Sequence, residues 1–209
     1  MKLKHFLIFF LFLFPLLSQA QIKLDLSISS GFSKTYVVDE NAGKYYPLMN
    51  EHKLGTSLKG GLDMEYLFNN NISIGVGVHY IQKKSVRYYA DTHKMDRISK
   101  AISIPISFNY QFKATNFGLL LGAAANINLN KNEPTLFNTY QYENQKLFYS
   151  IHAGAYYQMI DHIKLSIIYE ADLSPFYSYT YLSTPENHPG QNYLFRSINL
   201  KLSYTVFSK

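Results

Sequence analysis

The sequence predicts an all-β protein, an eight-stranded antiparallel up-and-down barrel that crosses a membrane and follows an N-terminal signal peptide. Three observations support this fold class. The chain opens with a short apolar segment, eight later segments alternate between apolar and polar residues, and the connections between them alternate in length. Alternation with a period of two is the pattern of β-strands whose two faces meet different surroundings.

The first twenty residues have the three parts of a secretory signal peptide. A basic start precedes an apolar run of twelve residues, Phe6–Leu17, and small residues flank the expected cleavage site before Gln21. A membrane-spanning helix needs about 20 apolar residues, so this run is too short to be an anchor. We expect residues 1–20 to be removed and residues 21–209 to form one barrel domain.

The composition excludes several classes of function. The chain has no Cys, so it holds no disulfide and no Cys-ligated metal. Without Lys2 and Lys4 of the signal peptide, 18 Lys and Arg remain against 14 Asp and Glu, and this mild excess does not point to nucleic acid. The sequence has no Gly-rich phosphate loop, no Asp-rich calcium loop and no metal-ligand spacing of His. We therefore expect no metal and no cofactor.

The second predicted strand has the clearest alternation, with mostly apolar even positions and mostly small or charged odd positions over fifteen residues. A strand in a soluble protein is usually about 5–6 residues long, whereas a tilted strand that crosses a bilayer needs about 9–11. The length therefore favours a membrane barrel. The eight predicted strands are residues 22–32, 54–68, 72–83, 98–112, 117–129, 147–159, 163–173 and 194–207.

The first four strands each divide into an apolar face and a face of Gly, Ser, Asn and a few charged residues. Because successive side chains of a strand point to opposite faces, this division assigns each residue to the inside or the outside of the barrel. In chain order, the apolar faces are Ile22, Leu24, Leu26 and Ile28; Leu54, Leu58, Leu62 and Met64; Ile72, Ile74, Val76 and Val78; Ile102, Ile104, Ile106 and Phe108.

The last four strands repeat the division, again with Gly, Ser, Asn and charged residues opposite the apolar face. Their apolar faces are Phe117, Leu119, Leu121 and Ile127; Leu147, Tyr149, Ile151 and Tyr157; Ile163, Leu165, Ile167 and Tyr169; Ile198, Leu200, Leu202 and Tyr204.

The connections predict which ends of the strands meet. Residues 69–71, 113–116 and 160–162 are short turns rich in Asn and Asp, which tolerate positive φ. The long connections are residues 33–53, 84–97, 130–146 and 174–193. Short turns at one end and long loops at the other are typical of outer-membrane barrels, with both chain ends expected in the periplasm. Pro105 lies within the fourth strand, where we expect a bulge or a local kink.

Alternation alone leaves open which face is inside, because soluble lipocalin-type barrels also have eight strands but an apolar lumen. Eight strands enclose a lumen just wide enough for side chains, so the small polar face fits inside better than the bulky one. Aromatic residues also gather near both ends of the apolar band, as in interfacial girdles. These residues are Tyr66, Phe68, Tyr110, Phe112, Phe117, Tyr157 and Tyr204 at the short-turn end, and Tyr80, Tyr149 and Tyr169 at the other.

The whole chain after the signal peptide resembles the small outer-membrane barrels, such as the OmpA barrel domain and OmpX. Its long Tyr- and Asn-rich loops are similar to those of the PorT-like outer membrane protein β-barrel domain group. We expect a structural or surface-interaction role for such a barrel. Its alternatives are an accessory part of a secretion machine and a lipid-modifying enzyme. The family usually ends on an aromatic residue, whereas here Ser208 and Lys209 follow Phe207.

Charged residues at the inward-facing positions of the alternating strands predict an ion-pair network that fills the pore. Closure makes the eighth strand a neighbour of the first, so bases and acids from four consecutive strands fall on one side of the lumen. Buried charges are costly unless they are paired, and the functional alternative is a gated ion path. The predicted network consists of Lys23, Asp25, Lys59, Asp63, Glu65, Lys164 and Lys201.

A second set of bases lies at the ends of the long loops, at positions that the alternation places on the outer face. These bases are expected either to meet lipopolysaccharide phosphates or to be solvated and snorkelling charges. Membrane lipid and lipopolysaccharide are therefore the expected partners. The set consists of Lys34, Lys84, Lys100, Lys131 and Arg196.

Two further features have a functional and a plain structural interpretation. Ser150, His152, Glu170 and Asp172 share the inward face of the sixth and seventh strands, as a hydrolase would need. All four point into the lumen, however, where a lipid ester would have difficulty reaching them, so we expect no catalytic residue. The Tyr-rich connection 174–193 could hold a protein partner or cover the barrel mouth.

Overall fold

The computed structural model describes residues 21–39, 52–89, 93–130, 140–181 and 191–208. The predicted signal peptide lies outside these residues. The described chain contains eleven strands: β1 (Gln21–Asp39), β2 (His52–Lys53), β3 (Gly55–Leu67), β4 (Ile72–Tyr89), β5 (His93–Gln111), β6 (Phe117–Asn128), β7 (Tyr140–Asn144), β8 (Leu147–Ile160), β9 (Ile163–Asp172), β10 (Tyr177–Tyr181) and β11 (Gln191–Ser208).

Eight of these strands form a closed antiparallel barrel, as predicted. Each pairs with its neighbours in the order β1, β3, β4, β5, β6, β8, β9, β11, and β11 pairs back with β1. Closure leaves no free edge in the wall, so every wall strand has hydrogen-bonding neighbours on both sides. The three remaining strands, β2, β7 and β10, lie in the long connections.

The register of the pairs shows how strongly the strands tilt. Paired residues lead from Leu24 around all eight strands and return to β1 at Lys34, ten residues further along. Such a stagger requires strands tilted by roughly 35–45° to the barrel axis. Long strands are therefore needed to cross the apolar layer.

The two faces of the wall have the predicted orientation. On β1, Leu26 and Ile28 are 54% and 66% exposed on the outside, while Ser27 and Ser29 between them are each 5% exposed and point inward. The same alternation holds on the other wall strands, so the bulky apolar residues cover the exterior. The buried interior is mainly polar.

The three short turns are present as predicted, and we call their end of the barrel the turn end and the opposite end the loop end. In the turn between β3 and β4, the Oδ1 atom of Asn69 accepts hydrogen bonds from the backbone N–H groups of Asn71, at 2.8 Å, and Ile72, at 2.9 Å. In the turn between β5 and β6, Ala114 has a φ of 59°. Local polar groups therefore fix these connections.

The long connections contain more β-structure than the sequence predicts. The prediction of a loop at residues 84–97 is wrong, because β4 continues to Tyr89 and β5 begins at His93 as its hairpin partner. β1 likewise extends to Asp39, into the predicted loop 33–53. Antiparallel pairing needs only backbone hydrogen bonds, so it continues beyond the point where one apolar face stops.

Pro105 interrupts the ladder without causing the predicted bulge. The β4–β5 pairs stop at Val76–Ile106 and resume at His79–Ser103 in the same register. Register shifts occur instead between Leu24 and Asp25 in the β1–β11 pair, and near the end of the β8–β9 pair. In the described part of the chain, no helix has the length and apolar character of a membrane span.

Candidate functional site

The lumen contains a polar cavity of about 90 Å³. A buried water needs roughly 10–15 Å³ measured in this way, so the cavity has room for several waters. Charged residues of β1, β3, β9 and β11 line it, together with residues of the other wall strands. The sequence suggested a lumen filled by side chains. The structure instead leaves this cavity inside the lumen, which ion pairs cross.

Asp63 on β3 is the centre of the first group of contacts. Its Oδ2 atom lies 2.7 Å from the Lys201 Nζ and accepts a hydrogen bond from the Ser27 hydroxyl, also at 2.7 Å. Its Oδ1 atom lies 2.9 Å from the His79 Nε2. Four strands therefore meet at one carboxylate.

Glu170 on β9 is the centre of the second group. It pairs with Lys59 and, at 2.9 Å, with the Nζ atom of Lys83, which also lies 3.3 Å from Asp172. The second oxygen of Asp172 accepts the backbone N–H of Phe195 at 2.8 Å. The side chain of Lys83 is only 3% exposed, so its charge depends on these two carboxylates.

A third group lies nearer the turn end, around Lys164 on β9. The Lys164 Nζ lies 2.9 Å from Glu65 and 3.6 Å from Asp25. Glu65 also accepts hydrogen bonds from Ser73 and, at 2.9 Å, from Asn109. The Lys164 side chain is 18% exposed, and a smaller pocket that opens toward the β3–β4 turn reaches both Lys164 and Glu65.

The structure brings six of the seven predicted network residues into these groups. Lys23 is the exception: it forms no ion pair with any residue that the structure describes, and it borders the pocket at the turn end. Sequence reasoning missed His79 and Lys83, and it considered Glu170 and Asp172 only as catalysts. All four residues occupy inward-facing positions of their alternating strands, and this pattern could have identified them as members of the network.

A cluster of buried aromatic side chains, which we call the aromatic lid, covers the ion pairs at the loop end. Phe176 stacks on Phe195 with ring centroids 4.2 Å apart, and Tyr177 stacks on Tyr193 at 4.1 Å. Phe148 completes the lid, and all five residues are at most 5% exposed. The lid also contacts the charges below it, since the Lys83 Nζ lies 5.4 Å from the Phe195 ring centroid.

Backbone contacts hold the lid segment across the lumen. The Phe176 N–H donates to the carbonyl of Tyr193 at 3.0 Å. The carbonyl of Phe176 accepts from the Gln145 N–H at 3.1 Å and from the Asn128 side chain at 3.0 Å. Three different parts of the chain therefore fix this segment in place.

The hydrolase arrangement considered for β8 and β9 does not form a nucleophile–base pair. The Ser150 hydroxyl is fully buried and accepts a hydrogen bond from Asn126 at 3.1 Å. His152 lies across from Glu170 in the register and borders the cavity. A nucleophile needs a base within hydrogen-bond reach, and no such bond joins Ser150 to His152. Among the described residues, no group of His, Asp and Glu could hold a metal ion.

The bases with outward parity lie on the exterior at the loop end, where the structure describes them. Lys34, Lys100 and Arg196 are exposed, and Lys84 is half-buried. Lys131 lies outside the described residues. The Lys34 Nζ and the Arg196 guanidinium lie 5.8 Å and 4.4 Å from the centroid of the Tyr36 ring. The set is therefore separate from the lumen network.

A closed eight-stranded wall with bulky apolar side chains outside and paired charges inside defines a small outer-membrane barrel. Comparison with protein families agrees, because the model of the outer membrane protein beta-barrel domain family matches residues 18–178. The chain belongs to this family, which indicates an outer-membrane location. Among curated proteins, none matches the sequence.

Solved structures of similar shape include several outer membrane proteins with low sequence identity. OprG from Pseudomonas aeruginosa has a TM-score of 0.46 and 11% identity, over 86% of this chain and 95% of its own. Neisserial surface protein A has a TM-score of 0.45 and 13% identity, over 87% and 96%. The outer membrane enzyme PagL has a TM-score of 0.43 and 11% identity, over 87% and 99%.

Proposed function

We propose that this outer-membrane protein is a non-conducting barrel that anchors interaction surfaces outside the membrane. The observation that carries the proposal is the aromatic lid, which lies directly on the buried Lys83–Glu170–Asp172 group. A permeating ion would have to part stacked rings and then break the ion pairs that cross the lumen. The lumen charges accordingly have a structural role.

The strands beyond the wall support the second half of this proposal. β10 pairs with both β11 and β7 at the loop end, and β2 pairs with the extended part of β4. The β7–β10–β11 pairs and the β2–β4 pair therefore form two surfaces of regular β-structure at the loop end of the wall. Loops on a rigid scaffold commonly carry binding function, and with the chain ends in the periplasm these surfaces face the cell exterior.

Planar-bilayer recording tests the closed lumen. We expect no stepwise conductance from the wild-type protein, because the lid blocks the loop end. The double variant Phe176→Ala and Phe195→Ala removes one stacked pair and is expected to show brief openings, whereas the exposed aromatic variant Phe207→Ala serves as the control. Steady conductance of the wild-type barrel would overturn the proposal.

An accessory role in a secretion machine is the second candidate, and the β7–β10–β11 sheet favours it because a supported sheet offers a protein partner a defined surface. Purification in a gentle detergent distinguishes the two candidates. Stoichiometric large membrane partners support the accessory role, and their absence leaves the protein as an independent surface anchor.

We propose that the protein is not an enzyme and uses no cofactor. The buried Ser150–Asn126 hydrogen bond and the lumen position of His152 support this proposal. Cells that carry His152→Ala should keep the same lipid composition as the wild type when their outer-membrane lipids are examined by mass spectrometry. A lost lipid modification would identify the barrel as a lipid-modifying enzyme instead.

A further inference from the structure

We propose that four bases on one side of the exterior bind the phosphate groups of lipopolysaccharide. These bases are Lys34, Lys84, Lys100 and Arg196. The inference depends on the outer-membrane location and on the proposed orientation with the loop end toward the cell exterior, and not on the closed lumen. The ligand is an amphiphile that carries phosphate groups above several acyl chains.

The centre of the site is a pair of like charges. Lys34 on β1 and Arg196 on β11 are direct register partners, and both are exposed on the outer face. Like charges directly opposite each other in an antiparallel pair are destabilising. Neither base forms an ion pair with any residue that the structure describes. An anion between them would remove the repulsion and would give both bases a partner.

The ring of Tyr36 positions this pair. Arg196 lies 4.4 Å and Lys34 lies 5.8 Å from the ring centroid. A cation over a tyrosine face gains about 0.5–1 kcal/mol at an exposed site. Both cations are thus held against one ring, beside the place where an anion would bind.

The register places the other two bases at nearly the same height. A path that follows register partners once around the eight strands ends ten residues nearer the loop end. Each step from one strand to the next therefore raises the position by about 1.25 residues. After correction for this climb, Lys84 on β4 and Lys100 on β5 lie within about one residue of the height of Lys34, and Arg196 within about 1.25 residues. The bases therefore lie on β11, β1, β4 and β5, and β3 between them has no base at this height but the exposed side chains of Leu54 and Thr56.

The remaining three wall strands have leucine at this height. The same correction places Leu129 after β6, Leu147 on β8 and Leu173 after β9 in the corresponding outward positions, and they are 47%, 47% and 60% exposed. Apart from β3, the outward positions that the structure describes at this level are thus basic on one side and leucine on the other. A general interfacial ring of snorkelling bases would surround the barrel, so the one-sided arrangement indicates a specific ligand.

The residues immediately below the charged pair indicate that the ligand is a lipid. Phe32 and Ile198 are register partners two positions nearer the turn end, and they are 65% and 57% exposed on the outer face. Acyl chains would lie against this apolar surface while their phosphate groups lie between Lys34 and Arg196. Free inorganic phosphate would use only the upper part of the site.

Thermal unfolding of the purified barrel in mixed micelles tests the assignment. The double variant Lys34→Gln and Arg196→Gln is compared with wild type and with Lys113→Gln, which removes an exposed charge at the turn end. Each protein is measured with bis-phosphorylated lipid A, with the same lipid after removal of its phosphates, and with inorganic phosphate alone. Quantitative mass spectrometry measures the lipid that each protein retains.

We expect phosphorylated lipid A to raise the Tm of wild type and of Lys113→Gln, and to raise that of the double variant by less than about half as much. Lipid retention should fall at least about three-fold in the double variant. Without lipid A, the double variant should be as stable as wild type or more so, because the like-charge repulsion is gone. Dephosphorylated lipid and free phosphate should have little effect on any of the three proteins.

Equal shifts for wild type and double variant, or equal shifts with and without the lipid phosphates, would overturn the assignment. A large shift with inorganic phosphate alone would also overturn it, because the site would then recognise a free anion. Conductance separates this proposal from the closed lumen. The exterior variant should leave the barrel non-conducting whatever its lipid binding, so each proposal can fail without the other.

Discussion

The two ends of the lumen bury charge in different ways. At the loop end, Lys83 is paired with two carboxylates and covered by the Phe195 ring, and its side chain is 3% exposed. Toward the turn end, Lys164 also has two carboxylate partners, but its side chain is 18% exposed and borders a pocket. Protein atoms alone surround the first charge, whereas water has access to the second.

This difference predicts different energetic roles for similar ion pairs. A buried charge that loses its partner is strongly destabilising because nothing else solvates it. A charge beside a water-accessible pocket can be partly solvated by water instead. Substitutions at the loop end should therefore reduce stability more than equivalent substitutions at the turn end.

The largest effect is expected for the lid substitution Phe195→Ala. It removes the stack on Phe176 and the contact with Lys83, and it leaves a cavity among residues that are otherwise fully packed. Replacement of a buried Phe by Ala typically costs about 3–5 kcal/mol. Reversible urea unfolding in lipid vesicles measures this loss. A loss below about 1 kcal/mol would mean that the lid does not hold the loop end together.

The next effect is expected for Glu170→Ala. This substitution leaves Lys59, which borders the lumen cavity, without its partner, and it leaves the enclosed Lys83 with Asp172 alone. Breaking a buried ion pair costs about 3–5 kcal/mol, and the surviving Lys83–Asp172 contact places this variant near the lower limit, at about 3 kcal/mol. Recovery of much of the loss in the triple variant Glu170→Ala, Lys59→Met and Lys83→Met would show that the unpaired bases cause it.

Glu65→Ala tests the same kind of loss at the turn end. Lys164 keeps Asp25 and gains access to water through the adjacent pocket. The cost should be about 1–2 kcal/mol, in the range of a hydrogen bond to a charged group. Urea unfolding under identical conditions gives the direct comparison. If Glu65→Ala costs as much as Glu170→Ala, the two ends do not differ in solvation.

The smallest effect is expected for Lys23→Met. Lys23 lies at the mouth of the turn end, is half-exposed and forms no ion pair with the described residues. The free energy of unfolding should change by less than about 0.5 kcal/mol, as for an ordinary surface substitution. Urea unfolding again provides the measurement, and a loss of more than about 1 kcal/mol would place Lys23 in the network after all.

The sequence was sufficient for the wall and for the charges near its turn end. Strict alternation assigns each residue to a face, so the pattern alone is enough to place Asp63, Glu65 and Lys201 in the lumen. The same reasoning could not predict the partners, because the partners depend on the stagger of all eight strands. Glu170 was thus assigned to the correct face but was not included in the predicted network.

The lid and the extended hairpin could not be predicted for two separate reasons. Tyr193 and Phe195 are inward-facing aromatic residues, whereas most aromatic residues of the wall strands lie on the exterior. The inward parity of Ser197 and Asn199 extends to both residues, but alternation does not show that their rings stack over the lumen charges. The extension of β4 to Tyr89 lies where the chain no longer alternates, and backbone pairing with β5 continues there.

The position of the lid residues along the chain has a consequence for assembly. Phe176, Tyr177, Tyr193 and Phe195 all belong to the last fifth of the chain, and Thr205 hydrogen-bonds to Asp25 across 180 residues. The interior therefore cannot be separated from bulk water until the final strand has joined the first. Until that moment the lumen charges remain accessible to bulk water, so each carboxylate can find its base before the barrel closes.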